Sequence, residues 1–143
     1  MNTKAYLQKY KRAKDRVEHY KERIAKIEGT LKGVNLDGMP RSGKLSNPTE
    51  VAALNLALLQ DQLQFAIVDA ERICQKIADE IEKVENPQFC ELLYARYIDF
   101  LPWEGVARRL REKRPGSDYD VKYVNGEMHK RALAAFSEVI KND

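Results

Sequence analysis

Five cations fall within the seven residues "RRLREKR", 108 to 114, against one acid, so this segment carries a local charge of +4. Arg108, Arg109, Arg111, Lys113 and Arg114 suit a polyanion, because guanidinium and ammonium groups donate to phosphate oxygens. A second set of interest follows in "DYDVKYVNGEMHKRAL". On a helical wheel the apolar stripe Val121, Val124, Met128, Ala132, Ala135 and Phe136 leaves Tyr119, Lys122, Tyr123, Gly126 and Lys130 facing away, with Asn125 and His129 on one flank. Donors, stackable rings and a glycine that permits close approach are what a helix needs to read base edges in a major groove. Lys130 and Arg131 add cations for phosphate contact. The same pattern also describes a solvated basic surface, which is the commoner use of such residues.

The elements that must position these residues are helical. In a chain of 143 residues, with 33% charged and 43% apolar residues but only 7 glycines and 5 prolines, helices are favoured over a sandwich or barrel, and we expect an all-α fold. The first segment places Tyr10, Val17, Ile24 and Leu31 in one series of sevens and Tyr6, Ala13, Tyr20 and Ile27 in another. Interleaved, they form a coiled-coil seam that is expected to stop near "EGTLKG". "NLDGMPRSGKLS" reads as a loop, and "SNPTE" as a helix start with Ser46 or Asn47 as N-cap and Pro48 at the first position. The second helix, to about Val84, repeats the seam through Leu56, Leu63, Ala70, Ile77 and Val84 and through Ile67, Cys74 and Ile81, with Gln60 interrupting.

Charge supports pairing of these two helices. Residues 1 to 33 hold ten basic and four acidic side chains, whereas residues 48 to 85 hold three and eight. A long antiparallel hairpin, coiled-coil-like, is therefore expected over 1–85, with its loop at about 29–47. Leu59, Phe65, Ala66 and Ile73 widen the second helix's stripe beyond a two-helix seam, which implies a further contact with the C-terminal region or with another subunit.

Residues 86–143 read as three shorter helices. Asn86 and Pro87 restart the chain, Phe89, Leu92, Leu93 and Tyr97 form one face, and "FLPW" is a corner with Pro102 at N1. Tyr97 and Trp103 are expected to fix that corner, with Trp103 a core anchor rather than a base-stacking residue. Arg96 bridges to Asp99 or Glu104, or meets nucleic acid. After the turn at Pro115 and Gly116, Ser117 or Asp118 caps the last helix, with Ser117 and Asp120 at capping-box spacing. This is the trihelical arrangement of helix-turn-helix DNA readers.

Several functions lack their residues. Cys74 and Cys90 have no CxxC spacing, His19 and His129 are far apart, and "SGK" lacks the upstream glycine of a phosphate-binding loop, so no metal, disulfide or cofactor is expected. No HExxH, GxSxG or Cys/His pair points to an enzyme. No apolar stretch reads as long enough to cross a bilayer and the N-terminus lacks a signal-peptide core, so the expectation is a cytoplasmic protein without a membrane partner.

"LLYARYIDFLPWEGVARRL" followed by "MHKRALAAF" resembles the C-terminal signature of the RinA-like and ArpU-like phage and prophage transcriptional regulators. The residues that carry the resemblance are Arg96, Tyr97, Ile98, Trp103, Val106, Ala107 and Leu110, then His129, Arg131, Ala132 and Leu133. The loop "GMPRSGKLSNPTE" is also similar to that family's linker. The resemblance implies a sigma-factor-like helix-turn-helix that binds promoter double-stranded DNA and activates late genes, with the hairpin supplying oligomerisation or contact with RNA polymerase. Seven residues, Arg111 to Ser117, separate Leu110 from Asp118, longer than the tight turn of a simple helix-turn-helix. The alternatives are a DNA-packaging adaptor similar to a terminase small subunit, or a helical interaction module that binds no DNA.

Overall fold

The computed structural model describes residues 2–33 and 48–142, and no strand occurs among them. The chain is all-α, as its composition predicts. Helix α1 covers Thr3–Leu7, α2 Lys9–Gly33, α3 Pro48–Glu82, α4 Pro87–Tyr97, α5 Trp103–Lys113 and α6 Val121–Tyr123. A π-helical turn, Val124–Met128, then leads without a break into α7, His129–Lys141. The expected loop and the caps Ser46 and Asn47 lie outside the described residues. Helix α2 runs through Gly29 to Gly33, past the expected stop, because one glycine costs a helix only about 1 kcal/mol.

Contacts divide the chain into two compact units, 1–12 with 71–143, and 13–70. The boundary expected at residue 85 is therefore displaced. The larger unit has one apolar core, and the chain's first residues belong to it. Leu7 is fully buried with Ile77, Ile81, Leu92, Leu93, Val106, Leu110, Val124, Met128 and Phe136. Tyr6, expected in the hairpin seam, instead lies with its ring 6.0 Å from that of Phe136 and donates its hydroxyl to the buried carboxylate of Glu80. Helix α4 packs on α5 and α7, and α5 packs on α6 and the π-helical turn.

Local chemistry explains the helix boundaries. Asn86 Oδ1 accepts from the amides of Gln88 and Phe89, and Pro87 occupies the first turn, as the sequence predicts. Pro102 is the N-cap of α5 rather than its first residue, which makes Trp103 N1. At the preceding corner Phe100 adopts φ 57°, costly for a non-glycine residue. Its half-buried ring packs against that of Tyr10, with centroids 5.2 Å apart. Gly116, with φ 88°, makes the turn after α5. Asp120, not Ser117 or Asp118, caps the last helix by accepting from the Tyr123 amide at 2.7 Å. Ser117 instead donates to the Arg114 carbonyl, closing the turn.

In the 13–70 unit the expected seam is turned inward. Ala13, Val17, Ile24, Leu59, Ala66 and Ala70 are buried, and Leu56 and Leu63 half-buried. Ile24, Lys21 and Leu63 line one shallow groove, and Arg16, Tyr20 and Ala66 another, so the helices of this unit meet along that face. Phe65, expected to widen the stripe toward a further contact, is 79% exposed. Helix α3 is also, by length and composition alone, apolar enough to cross a membrane, contrary to the sequence expectation, although it carries polar residues such as Asn55, Gln60 and Asp61 within that stretch.

Because Tyr6, Leu7, Ile77 and Ile81 complete the core, a fragment spanning 86–143 should fail to fold, giving no cooperative thermal transition by circular dichroism. In the full chain, Leu7→Ala should lower unfolding free energy in urea by about 3 kcal/mol, the cost of a cavity at a fully buried leucine.

Candidate nucleic-acid interface

Behind the candidate surface stands a cluster of aromatic and basic side chains that fixes the last helix. Tyr97, buried on α4, has its hydroxyl 2.7 Å from Nε2 of His129, the first residue of α7. The Trp103 ring meets the imidazole edge-on, with centroids 4.6 Å apart. Over the same indole, 4.5 Å from its centroid, lies the Arg96 guanidinium, which also donates to the Leu101 carbonyl at 3.0 Å. Arg96 thus braces the corner through a ring and a carbonyl rather than through Asp99 or Glu104.

Burial sets the protonation of this cluster. The His129 pKa is lowered to about 4, chiefly by desolvation, with the positive charges of Lys4 and Arg96 adding to it. Desolvation also raises Tyr97 to about 12, against a smaller opposing effect of Arg96. Both partners are neutral at pH 7, and the imidazole tautomer sets which of the two, the Tyr97 hydroxyl or Nε2, donates the shared proton.

The outward residues of the last helix differ in their commitments. Lys122, Asn125, Gly126 and Lys130 are exposed, and a Cβ added at Gly126 would meet nothing within 4 Å. Tyr119 precedes the helix rather than lying on it, and its half-buried ring stacks on that of Tyr123, centroids 6.4 Å apart and planes at 12°. Tyr123 is exposed beside it. His129, expected on the outer flank, is only 8% exposed and therefore belongs to the core, not to any base-reading face. A π-helical turn needs more residues per turn than an α-helix, so Val124 and Met128 both point inward while Asn125, Gly126 and Glu127 stand out between them.

No protein-family model, no curated protein and no solved structure matches this chain.

The cations expected to grip phosphate also sort by commitment. Arg109 pairs with Asp99, Lys113 lies 3.8 Å from Glu91, and Arg131 is 3.1 Å from Glu127. Arg111 donates to the Tyr119 carbonyl at 2.7 Å, tying the end of α5 to the segment before α6. Arg111 and Lys113 also lie in the last turn of α5, where positive charge suits the helix dipole. Arg114 is half-buried, its Nε enclosed without an acceptor. Among the described residues Arg108, Lys122 and Lys130 are exposed cations without a hydrogen-bond or ion-pair partner. The packing of α5 against α6 and the π-helical turn places the elements that bear Arg108 and Lys122 side by side, and Lys130 follows on α7.

Sequence reasoning missed the brace made by Arg96 and the π-helical turn. The second had a signal: Val124, Met128, Ala132 and Phe136 recur strictly every four residues, a spacing that drifts around an α-helix.

The histidine makes stability pH-dependent. Its folded pKa of about 4 lies below the ordinary 6.5, so the unfolded chain binds the extra proton first and stability falls as pH drops from about 6.5 to 4. That loss should amount to about 3 kcal/mol in urea titrations. In His129→Leu this component of the pH dependence should vanish, even if the variant is less stable at pH 7.

Proposed function

We propose that this chain is a sequence-specific double-stranded-DNA-binding transcriptional regulator of phage or prophage genes, gripping promoter DNA through α5 and the helix that begins at Val121. The observation that carries the reading is the set of uncommitted cations Arg108, Lys122 and Lys130 on adjacent helices, with Asn125 and the unobstructed Gly126 between the two lysines. Lysine and arginine supply the phosphate attraction, asparagine can pair with an adenine edge, and a bare glycine lets a backbone approach the groove. The resemblance of "RYI", Trp103 and "HKRAL" to phage regulators supports the same reading.

In this proposal His129 takes no part in recognition. It holds α7 against Tyr97 and Trp103, so the DNA-facing side chains project from a helix whose rotation is fixed. Arg109 serves chiefly to tie α5 to the α4 corner through Asp99. Arg108 is therefore the better probe of phosphate contact.

Fluorescence anisotropy of the full chain with duplexes drawn from a randomised library tests the proposal. Arg108→Ala should weaken all duplexes similarly and reduce the slope of log affinity against log salt by about one. Lys122→Ala or Asn125→Ala should instead flatten preference among duplexes, by about 1–3 kcal/mol at the position each reads. Absence of duplex binding by the full chain at low salt would sink the proposal.

A further inference from the structure

Helix α3 carries a second apolar stripe on the side away from its buried seam. Val51, Leu54, Leu58, Phe65 and Val68 are 50%, 72%, 57%, 79% and 61% exposed. Their spacing is three, four, seven and three, and the one position missing from a heptad a/d series is occupied by Asp61. The inward residues Leu56, Leu59, Leu63, Ala66 and Ala70 occupy the opposite heptad positions. One helix thus presents two seams, of which the structure fills one.

We propose that the open stripe seats a second copy of this chain, α3 against α3, antiparallel. The stripe is symmetric about its own midpoint between Leu59 and Gln60. Laid against itself in reverse, it sets Val51 opposite Val68 of the second copy, Leu54 opposite Phe65, and Leu58 opposite Asp61, each pairing occurring twice as a two-fold axis requires. Every stripe position finds a stripe partner. At roughly 100 Å² of exposed surface per apolar side chain, ten such side chains cover about 1,000 Å², the range in which specific interfaces begin. The flanking positions Asn55, Ala57, Gln62 and Gln64 bear no charge, so two copies approach without like-charge repulsion over the middle of the stripe, and the acids Glu50 and Asp69 flank only its ends. Asp61 is the polar seam residue whose burial favours one register over others. A parallel pair would oppose the two carboxylates in one layer, whereas the reversed pair sets each against a leucine in adjacent layers, about 4.5 Å apart along the axis.

A bilayer suits this surface less well. Between Pro48 and Glu71 the helix has no lysine or arginine to meet anionic headgroups, and the stripe is the narrow a/d kind rather than a broad apolar face. The inference is independent of DNA contact, since it uses only residues 51–68.

Light scattering of the full chain across micromolar concentrations should give twice the chain mass, and Leu54→Asp or Phe65→Asp should halve it. Both side chains are solvent-exposed, so the variants should keep the parent's circular dichroism and still melt cooperatively, and Gln60→Asp, outside the stripe, should stay dimeric. Under oxidation the double variant Leu54→Cys/Phe65→Cys should form interchain disulfides beyond those of the parent. Leu54→Cys alone should not, since antiparallel pairing holds its two copies about 16 Å apart along the axis. A monomeric parent, crosslinking by Leu54→Cys alone, or a parent that floats with phosphatidylcholine–phosphatidylglycerol vesicles as a monomer would each overturn the proposal.

Discussion

The larger unit depends on keeping an imidazole uncharged in an apolar setting. His129 begins the helix that carries the outward lysine and arginine, and its ring is held by Tyr97 from α4 and by Trp103 from α5. Three helices therefore meet at one hydrogen bond and one edge-to-face contact. Charging the ring would set a buried cation near Arg96 and Lys4, so the neutral state and the packing require each other. Arg96 is kept useful by the indole face and a carbonyl rather than by an acid.

From that anchor the phase of the last helix follows. Inward residues four apart would rotate steadily out of the core of a regular α-helix. The wider turn at Val124–Met128 absorbs the drift and returns Met128, Ala132 and Phe136 to the interior. It also leaves three consecutive outward residues where an α-helix would turn one back sooner. The outward surface and the buried stripe are consequences of the same extra residue.

Much of this was legible from residue patterns. Asn86–Pro87, the inward set Val106, Ala107 and Leu110, and the seam residues Val17, Ile24 and Ala70 follow from caps and periodicity, which are local. The position of His129 was not, because a wheel drawn at 100° per residue leaves it on the flank of the stripe, where pattern alone does not decide burial. Nor was the cap at Asp120, since Ser117, Asp118 and Asp120 are equally competent by type and only the length of the turn chooses. The candidate surface was readable as a composition, whereas which cations remain uncommitted depends on partners such as Asp99 and Glu91, distant from them in sequence.

Tyr6 and Phe136 touch although nearly the entire chain lies between them. During translation, the segment around Tyr6 must wait, unsatisfied, for the segment around Phe136. The intervening 13–70 unit contains its own buried seam, between residues closer in sequence than Tyr6 and Phe136, and can form while the ribosome is still working. By bringing its two ends together early, a preformed insert of that kind shortens the effective loop that the larger unit must close. The middle of the chain then acts as a splint for the assembly of its termini.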